Sequence, residues 1–497
     1  MGKAPPVTEE DSRLAELFVL LNHRKVKAYL VGGCVRDALL RRASRDWDVA
    51  VAGSALDIAR EAADGLGGAF VPLDTERDVA RVVFPSETSH WHVDFTSFQG
   101  GIEVDLGRRD FTVDAMAVKV PSRSRGKAGS PLSSRFRRTS VIDPFGGLTD
   151  LAERRIRAVG DGIFQDDPLR LLRAVRLSAE YGFDIDAETE HLMRLQADLL
   201  NSVAPERVRE EIVKLMSLPA STPHLYCLDQ IGLLLVVFPE LAEMKGVEQP
   251  KEHFWDVFNH SMETVAGVER LLSMEDEIAT AVPWLSGFLG YFDEEAGGVK
   301  RSVLVKVAAL LHDVSKPKTK RIQDDGRMRF FGHPKEGAAV AAAAMHRLRF
   351  STRQIKAVEC MIENHLRLWQ MSHDDLPTRR AIYRFFRDTG DVAVDIMLLS
   401  LADFLATVGP RLDISDLRSA AQLMGYMLSE YQRDESLSRP PKLITGHDLM
   451  EMFNMQPGPE IGRLLEAVRE AQGAGEISTR EEALAFARDR IGGSGVS

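Results

Sequence analysis

Cysteine, long hydrophobic runs and excess positive charge are all scarce in this sequence. Its three cysteines, Cys34, Cys227 and Cys360, are too few and too scattered for a disulfide framework or a cysteine zinc cluster, which favours a cytoplasmic protein. No window approaches the ~18–20 apolar residues of a membrane span, and the polar, acidic N-terminus is unlike a signal peptide, so no membrane partner is expected. A formal net charge of −11 argues against non-specific nucleic-acid binding by the whole surface.

One segment departs from this acidic balance. Between Lys119 and Arg138 the chain holds seven basic residues and no acidic one, which suits a local nucleic-acid contact. The same segment is rich in Ser, Gly and Pro, so a disordered loop explains it equally well.

A pair of glycines, Gly32 and Gly33, separates a short apolar run from a predicted helix. The run, Ala28 to Val31, predicts a buried strand, and residues 35–42 predict the helix. Because glycine has no Cβ, a phosphate could approach this backbone closely, and the N-terminal amides of the helix would face the same anion. The segment therefore predicts a phosphate cradle, with a plain glycine turn as the alternative.

Two carboxylates, Asp46 and Asp48, stand at the start of the next apolar run, residues 47–52. On a strand, a spacing of two residues places both side chains on one face. Two carboxylates that converge beside a phosphate cradle suit a pair of Mg²⁺ ions in phosphoryl transfer. Alone, the pair could equally be two solvated acids, but strand, glycines, helix and carboxylates in this order favour a nucleotidyl-transfer site.

The sequence GGCVRDALL followed by DWDVAV resembles the head domain of the DNA polymerase β superfamily, in the form found in class II tRNA nucleotidyltransferases and related bacterial poly(A) polymerases. The resemblance implies that Gly32, Gly33, Arg36 and Asp37 shape the triphosphate and metal site. It also implies that Asp94, on a predicted strand over residues 91–98, is the third carboxylate of a two-metal site.

Arg109 and Asp110 belong to a second motif, RRDFTVDA. Guanidinium groups can grip phosphate oxygens bidentately, although two solvated charges at a helix start are also consistent with the pattern. The motif resembles a family motif in which the arginine and aspartate contact the phosphates and sugar of the incoming nucleotide. This chain has Asp114 where the family usually has Asn, so any contact made by that amide is in doubt.

Asp167 and Arg170 form the third motif, in the sequence QDDPLRLLRAVR. Three residues apart at a predicted helix start, a carboxylate and a guanidinium could read the pairing edge of C or A, or form an ordinary salt bridge. The resemblance to the family's EDxxR motif favours base selection, with Asp166 in place of Glu. Arg173 and Arg176 continue the basic face and are included among the nucleotide-binding residues.

The second half of the sequence holds a histidine and aspartate constellation. Both residue types ligate divalent or transition metals, and apolar runs at 303–311 and 396–406 predict helices that deliver them into a buried core. A lone buried histidine is usually a core residue, but a series in the order H, HD, H, H, D resembles the HD phosphohydrolase superfamily. The residues are His260, His312, Asp313, His333, His365 and Asp403.

These resemblances cover nearly the whole chain and imply four parts: a head at 1–149, a nucleotide-selecting and RNA-binding helical neck at 150–245, an HD domain at 246–410 and a helical tail at 411–497. The implied fold is an α/β polymerase-β-like nucleotidyltransferase head, a small mixed sheet with helices, followed by an all-α neck, HD body and tail. The implied cofactors are Mg²⁺ in the head and a divalent transition metal in the HD site.

The implied activity is the addition of C residues, as CC or CCA, to the 3′ end of tRNA from CTP and ATP. Members of the family that add the final A carry a longer flexible loop before the RRD motif. Here that interval spans 13 residues, 95–107, with a glycine turn and little more, so CC addition is predicted. A bacterial poly(A) polymerase and an HD phosphohydrolase with a non-catalytic head are the alternatives, and the intact DWD argues against the second.

Overall fold

The computed structural model describes residues 9–44, 46–85, 91–120, 140–371, 376–433 and 442–493. Most of the basic segment between Lys119 and Arg138 therefore lies outside the described residues. The chain forms two compact units, one of residues 1–203 with 230–236 and one of residues 204–229 with 237–497. The four-part division expected from the sequence stays a prediction.

A seven-stranded mixed sheet is the centre of the first unit. Its strands are β1 (Ala28–Val31), β2 (Asp46–Val51), β3 (Ala69–Asp74), β4 (Val79–Phe84), β5 (Trp91–Ser97), β6 (Ala117–Lys119) and β7 (Val141–Ile142). The strand order is β3-β4-β5-β2-β1-β6-β7, and β2 and β5 are parallel whereas all other neighbours are antiparallel. A separate parallel pair joins β8 (Arg155–Ile156) to β9 (Asp184–Ile185).

Helices connect and cover these strands. They are α1 (Glu9–His23), α2 (Gly33–Leu39), α3 (Ala55–Leu66), α4 (Ile102–Leu106), α5 (Gly147–Glu153), α6 (Ile163–Asp166), α7 (Arg170–Tyr181) and α8 (Ala187–Gln196). Local chemistry sets the ends of α3: the Ser54 side chain accepts a hydrogen bond from the Asp57 amide at 3.2 Å, and Gly67 ends the helix with φ 71°. The predicted helix at 35–42 begins earlier and ends earlier, as α2.

The remaining helices are α9 (Pro205–Met216), α10 (Thr222–Ile231), α11 (Leu233–Val237), α12 (Val257–Ser273), α13 (Asp276–Ala281), α14 (Leu289–Asp293), α15 (Arg301–Leu311), α16 (Lys316–Thr319), α17 (His333–Arg347), α18 (Thr352–Asn364), α19 (Arg367–Gln370), α20 (Arg379–Thr389), α21 (Ala393–Val408), α22 (Ile414–Arg433), α23 (Gly446–Phe453), α24 (Pro459–Gly473) and α25 (Arg480–Gly493). Short 3₁₀ turns lie at 112–114, 197–202, 239–244, 283–288, 390–392 and 409–411. Helices α12, α15, α18 and α21 pack together and contribute many of the buried apolar side chains of the second unit.

The predicted α/β head followed by a helical remainder is confirmed, with two corrections. The neck predicted at 150–245 is not entirely helical, because it contains the parallel pair of β8 and β9. The HD body is not entirely helical, because β10 (Lys320–Ile322) and β11 (Met328–Phe330) form an antiparallel hairpin. Its turn contains Asp324, Asp325 and Gly326, and Gly326 has φ 78°, a conformation that favours glycine.

One helical segment, residues 379–411, is apolar and long enough to cross a membrane by length and composition alone. The sequence did not indicate this segment as a span, because Asp395 and Asp403 interrupt its apolar run. Its most apolar window is 72% buried within the protein, as a core helix is. This segment includes α21, which packs against α12 and α15.

Candidate active site and metal centre

Three carboxylates share one face of the head sheet. In the parallel pairing of β2 with β5, Asp48 stands directly opposite Asp94. Asp46 lies two residues before Asp48 and therefore projects from the same face. The structure thus brings together Asp46, Asp48 and Asp94, as the sequence analysis predicted for the catalytic carboxylates.

The electrostatics of this face fit a divalent cation. Burial raises the pKa of Asp48 to about 6, and Asp94, Asp114 and Asp46 add to this rise while Arg109 opposes it. The opposing guanidinium lies at the outer limit of ion-pair distance, with Arg109 Nη1 3.9 Å from Asp48 Oδ2. Crowded carboxylate oxygens of this kind are the ligands that Mg²⁺ prefers, so these residues fit the predicted metal.

Asp94 has a partner that the sequence analysis missed. Arg81 stands opposite Asp94 on β4, and its Nε and Nη2 donate to the two oxygens of Asp94 at 2.7 and 2.8 Å. Such a bidentate pair fixes the orientation of the carboxylate. The sequence of β4 alone could not predict this contact, because the contact depends on the register between β4 and β5.

Gly32 ends β1 at the point of closest approach to this face. It has φ 75°, and a Cβ built on it would lie 2.4 Å from Arg109 Nη1 and 2.8 Å from Asp48 Oδ2. A side chain would therefore occupy the space between the Asp48 carboxylate and the Arg109 guanidinium. Gly33 begins α2, where a Cβ would meet the Arg36 guanidinium at 3.2 Å.

We expect Gly32→Ala to impair nucleotide addition far more than Gly33→Ala. The first change forces both a strained φ and displacement of Arg109, whereas the second needs only a small shift of Arg36. Steady-state kinetics should show a loss of kcat/KM that is at least tenfold larger for Gly32→Ala than for Gly33→Ala. The free energies of unfolding of the two variants, measured by thermal melting, should differ by only about 1–2 kcal/mol. Equal losses for the two variants would contradict the cradle assignment.

Arg36 and Asp37 lie beneath the cradle rather than open to it. Arg36 is only 6% exposed, donates from Nε to Asp37 Oδ1 at 3.0 Å and pairs with Asp114 and the Tyr181 hydroxyl. The Tyr181 hydroxyl also donates to Asp37 Oδ1 at 2.8 Å. Asp114, which stands where the family usually has Asn, therefore supplies a carboxylate to the buried Arg36 guanidinium. Tyr181 is a second residue of the site that was not predicted from the sequence.

Asp110 and Arg173 form an ion pair between the second motif and α7. Arg173 Nε lies 2.8 Å from Asp110 Oδ2, and the Phe111 amide donates to Asp110 Oδ1 at 3.0 Å. Although burial opposes it, the Arg173 guanidinium holds the pKa of Asp110 below its usual range. Arg176, one turn further along α7, pairs with Glu180 at 2.7 Å.

Asp167 and Arg170 do not share a helical face, because α7 begins at Arg170 and Asp167 precedes it in an extended conformation. The Asp167 carboxylate accepts a hydrogen bond from the Leu169 amide at 3.2 Å. Arg170 donates to the carbonyl oxygens of Ile163 and Arg108, at 3.1 and 2.7 Å. The third motif is therefore fixed directly to the second.

The six predicted HD ligands converge in the second unit, and all of them are buried. Asp313 Oδ2 lies 3.4 Å from His260 Nε2 and 3.1 Å from His312 Nε2, while its Oδ1 lies 3.4 Å from His333 Nε2. Asp403 Oδ1 lies 2.9 Å from His260 Nε2. Two triads have ligand atoms close enough for one ion, namely His260, His312 and Asp403, and His312, Asp313 and His365.

Backbone contacts prepare three of these histidines as metal ligands. The Nδ1 atoms of His312, His333 and His365 donate to the carbonyl oxygens of Ala309, Phe330 and Ile362, at 2.7–2.8 Å. This leaves the lone pair on Nε2 for a metal. Among the described residues, the buried Nε2 atoms of His312 and His333 lie near Asp313 but make no hydrogen bond of ordinary geometry. Burial and the nearby His312 lower the pKa of His365 to about 3, which keeps it neutral. The cluster therefore fits the predicted divalent transition metal.

Two further residues flank this centre and were missed by the sequence analysis. Lys316 Nζ lies 2.6 Å from Asp313 Oδ2 and donates to Gln249 Oε1 at 2.7 Å. The ring of His253 lies 5.3 Å from that of His260. The three-residue spacing from Asp313 to Lys316 was a usable signal for the lysine.

The carboxylate-bearing head and the histidine–aspartate cluster together define a polymerase-β-type nucleotidyltransferase with an HD domain. Residues 28–157 match the family model of the poly(A) polymerase head domain, and residues 182–245 match the probable RNA- and SrmB-binding site of polymerase A. Residues 257–407 match the HD domain, and residues 339–487 match the putative tRNA nucleotidyltransferase domain 2.

Relatives cover almost the whole chain. The A-adding tRNA nucleotidyltransferase of Deinococcus radiodurans is 33% identical over 92% of this chain and 94% of its own. The CC-adding tRNA nucleotidyltransferase of Thermus thermophilus is 35% identical over 92% of each chain. A solved CCA-adding enzyme in an apo form has a TM-score of 0.63 at 20% identity, covering 98% of this chain and 95% of its own. The chain therefore belongs to the tRNA nucleotidyltransferase family, and it is an enzyme.

Proposed function

We propose that this enzyme adds C residues to the 3′ end of tRNA, using CTP, by two-metal phosphoryl transfer. The observation that carries the proposal is the register of β2 with β5, which sets Asp48 opposite Asp94 beside the Gly32 turn and Arg109. The curated relatives named above act on tRNA, and this supports the substrate. A bacterial poly(A) polymerase, which shares the head, is the less favoured alternative. The tRNA substrate is also consistent with the expected cytoplasmic location.

In this mechanism Asp46, Asp48 and Asp94 would hold Mg²⁺. When bound, the metal ions supply positive charge that lowers the pKa of the attacking 3′ hydroxyl and neutralises the pyrophosphate leaving group. Arg109, 3.9 Å from Asp48, adds a guanidinium on the phosphate side of the site. The Gly32 turn leaves room for the phosphates.

Base selection is assigned to Asp167 and Arg170. A carboxylate accepts a hydrogen bond from the exocyclic amine of cytosine, and a guanidinium donates to its ring nitrogen and carbonyl oxygen. The anchors of Arg170 on Ile163 and Arg108 support a pocket whose shape is fixed. A pocket fixed for cytosine presents the wrong pattern to adenine.

CC addition, rather than complete CCA addition, is supported by the segment before the RRD motif. The expected glycine turn is present at Gly100 and Gly101, but the five-residue helix α4 follows it. Ile102 and Leu106 of α4 are buried with Val31, Ala50, Ala115 and Ala117. A segment held in the core in this way has little freedom to reshape the base pocket.

Extension of two tRNA substrates in the presence of both CTP and ATP tests the end product. With tRNA that lacks CCA, we expect sequencing of the 3′ ends to show products ending in CC. With tRNA that already ends in CC, we expect no extension, because the pocket rejects adenine. A majority of CCA ends would contradict the proposal.

The identity to the Deinococcus radiodurans protein favours one further candidate, an A-adding enzyme. That enzyme would leave tRNA without CCA unextended and would add A to tRNA ending in CC. The same two substrates therefore separate the two candidates.

The HD centre is proposed to bind a divalent transition metal and to support a phosphohydrolase activity separate from nucleotide addition. The complete set of buried ligands supports this, since a buried imidazole nitrogen without a well-aligned hydrogen bond, as at Nε2 of His333 within the described residues, is costly unless a metal binds it. The alternative in which the HD domain alone is active is disfavoured by the intact carboxylate face of the head.

A further inference from the structure

The β10–β11 hairpin is built into the wall of the HD centre. The first strand follows directly on the short helix α16, whose first residue, Lys316, has its Nζ 2.6 Å from Asp313 Oδ2. The second strand ends at Phe330, whose carbonyl oxygen accepts a hydrogen bond from Nδ1 of His333 at 2.7 Å. Lys316 Nζ also lies 5.5 Å from the centre of the Phe330 ring. A molecule bound along the hairpin would therefore lie next to the metal ligands.

This hairpin is basic in an acidic protein. From Lys316 to Lys335 the chain carries seven lysines and arginines against two aspartates, although the whole chain has a formal net charge of −11. Most of the basic side chains are exposed, and so is Phe331, with 66% of its surface open to solvent. Positive charge and a solvent-exposed aromatic ring occur together here, as they do on surfaces that bind single-stranded nucleic acid.

The register of the hairpin places two like charges against each other. Arg321 stands directly opposite Arg329, and in the described part of the chain neither is paired with a carboxylate. Like charges opposite each other destabilise a two-stranded ribbon, which is already marginal by itself. A polyanion bound across both guanidinium groups would relieve this repulsion.

We propose that the β10–β11 hairpin binds an RNA strand and holds it beside the HD metal centre. Arg321 and Arg329 contact successive phosphates, and Phe331 stacks on a base. RNA fits better than an acidic peptide, because every nucleotide supplies both a phosphate and a base that can stack on the exposed ring, whereas an acidic peptide has a ring only where it has an aromatic residue. This RNA contact rests on the proposed function, because the RNA is the tRNA substrate proposed above. It adds a second RNA contact, outside the nucleotidyltransferase head.

The test measures how a fluorescently labelled, single-stranded RNA oligonucleotide binds to the full-length enzyme over a range of salt concentrations. We expect the double variant R321A/R329A to bind about tenfold more weakly at low salt. Because two phosphate contacts are lost, the slope of log Kd against log salt should become less steep by about 1.4. Phe331→Ala should weaken binding with an unchanged slope.

A matched variant in the turn of this hairpin, D324N/D325N, removes two acidic charges and should increase the affinity for RNA. Thermal melting provides a second readout, since R321A/R329A removes like-charge repulsion and should be at least as stable as the wild type. Unchanged RNA affinity and slope in R321A/R329A, or equally tight binding of a poly-glutamate peptide, would overturn the inference. Failure of the wild-type enzyme to extend tRNA with CTP would instead contradict the proposed function.

Discussion

Asp48→Asn is expected to abolish CMP addition while leaving the fold intact. The substitution keeps the size of the side chain, but it removes the negative charge from the residue opposite Asp94. Loss of a carboxylate ligand removes several kcal/mol of transition-state stabilisation, which corresponds to a rate lower by about a thousandfold or more. The measurement is single-turnover addition of labelled CMP to tRNA without CCA at saturating Mg²⁺, with Asp46→Ala as a second variant.

Asp64→Asn is the matched control, because Asp64 is an exposed aspartate on α3 of the same unit. It should add CMP at the wild-type rate. Circular dichroism and tRNA affinity should be unchanged in Asp48→Asn, which would place the defect in the chemical step. Near-wild-type addition by a folded Asp48→Asn enzyme would show that the catalytic carboxylates lie elsewhere.

The carboxylates show how far the sequence alone could go. The two-residue spacing of Asp46 and Asp48 was enough to predict a shared face, because side chains alternate along any strand. The partners Arg81 and Tyr181 could not be predicted in the same way. Tyr181 meets Arg36 across 145 residues of sequence, and only the packing of α7 against the head brings them together.

A similar limit applies to the third motif and to the HD body. The helix start was predicted to include Asp167, but Asp167 lies before α7, with Pro168 and Leu169 between it and the helix. The HD ligands could be predicted from their order in the sequence. The backbone carbonyl groups that orient His312, His333 and His365 could not, because their positions depend on where the helices end. The β10–β11 hairpin was missed because its strands are only three residues long.

His312→Ala should remove the metal from the HD domain and spare nucleotide addition. Among the described residues, His312 is the histidine shared by both candidate ligand triads, so its loss disrupts both of them. Replacement of residues that merely orient a ligand costs about 10–100-fold in metal affinity, so loss of the ligand itself should cost at least about 100-fold. Elemental analysis of the purified enzyme, together with hydrolysis of a model phosphodiester, measures the loss.

His346→Ala is the control, since His346 is an exposed histidine on α17 of the same unit. It should retain the metal and the hydrolytic activity of the wild type. The double variant H312A/D313A also removes the carboxylate that lies between three histidines, and it should still add CMP, because no head residue is altered. Loss of CMP addition in a folded double variant would mean that the HD centre serves the head. A wild-type enzyme purified without metal, and unable to take up Mn²⁺, Ni²⁺ or Zn²⁺, would mean that the buried histidines form a core and not a metal site.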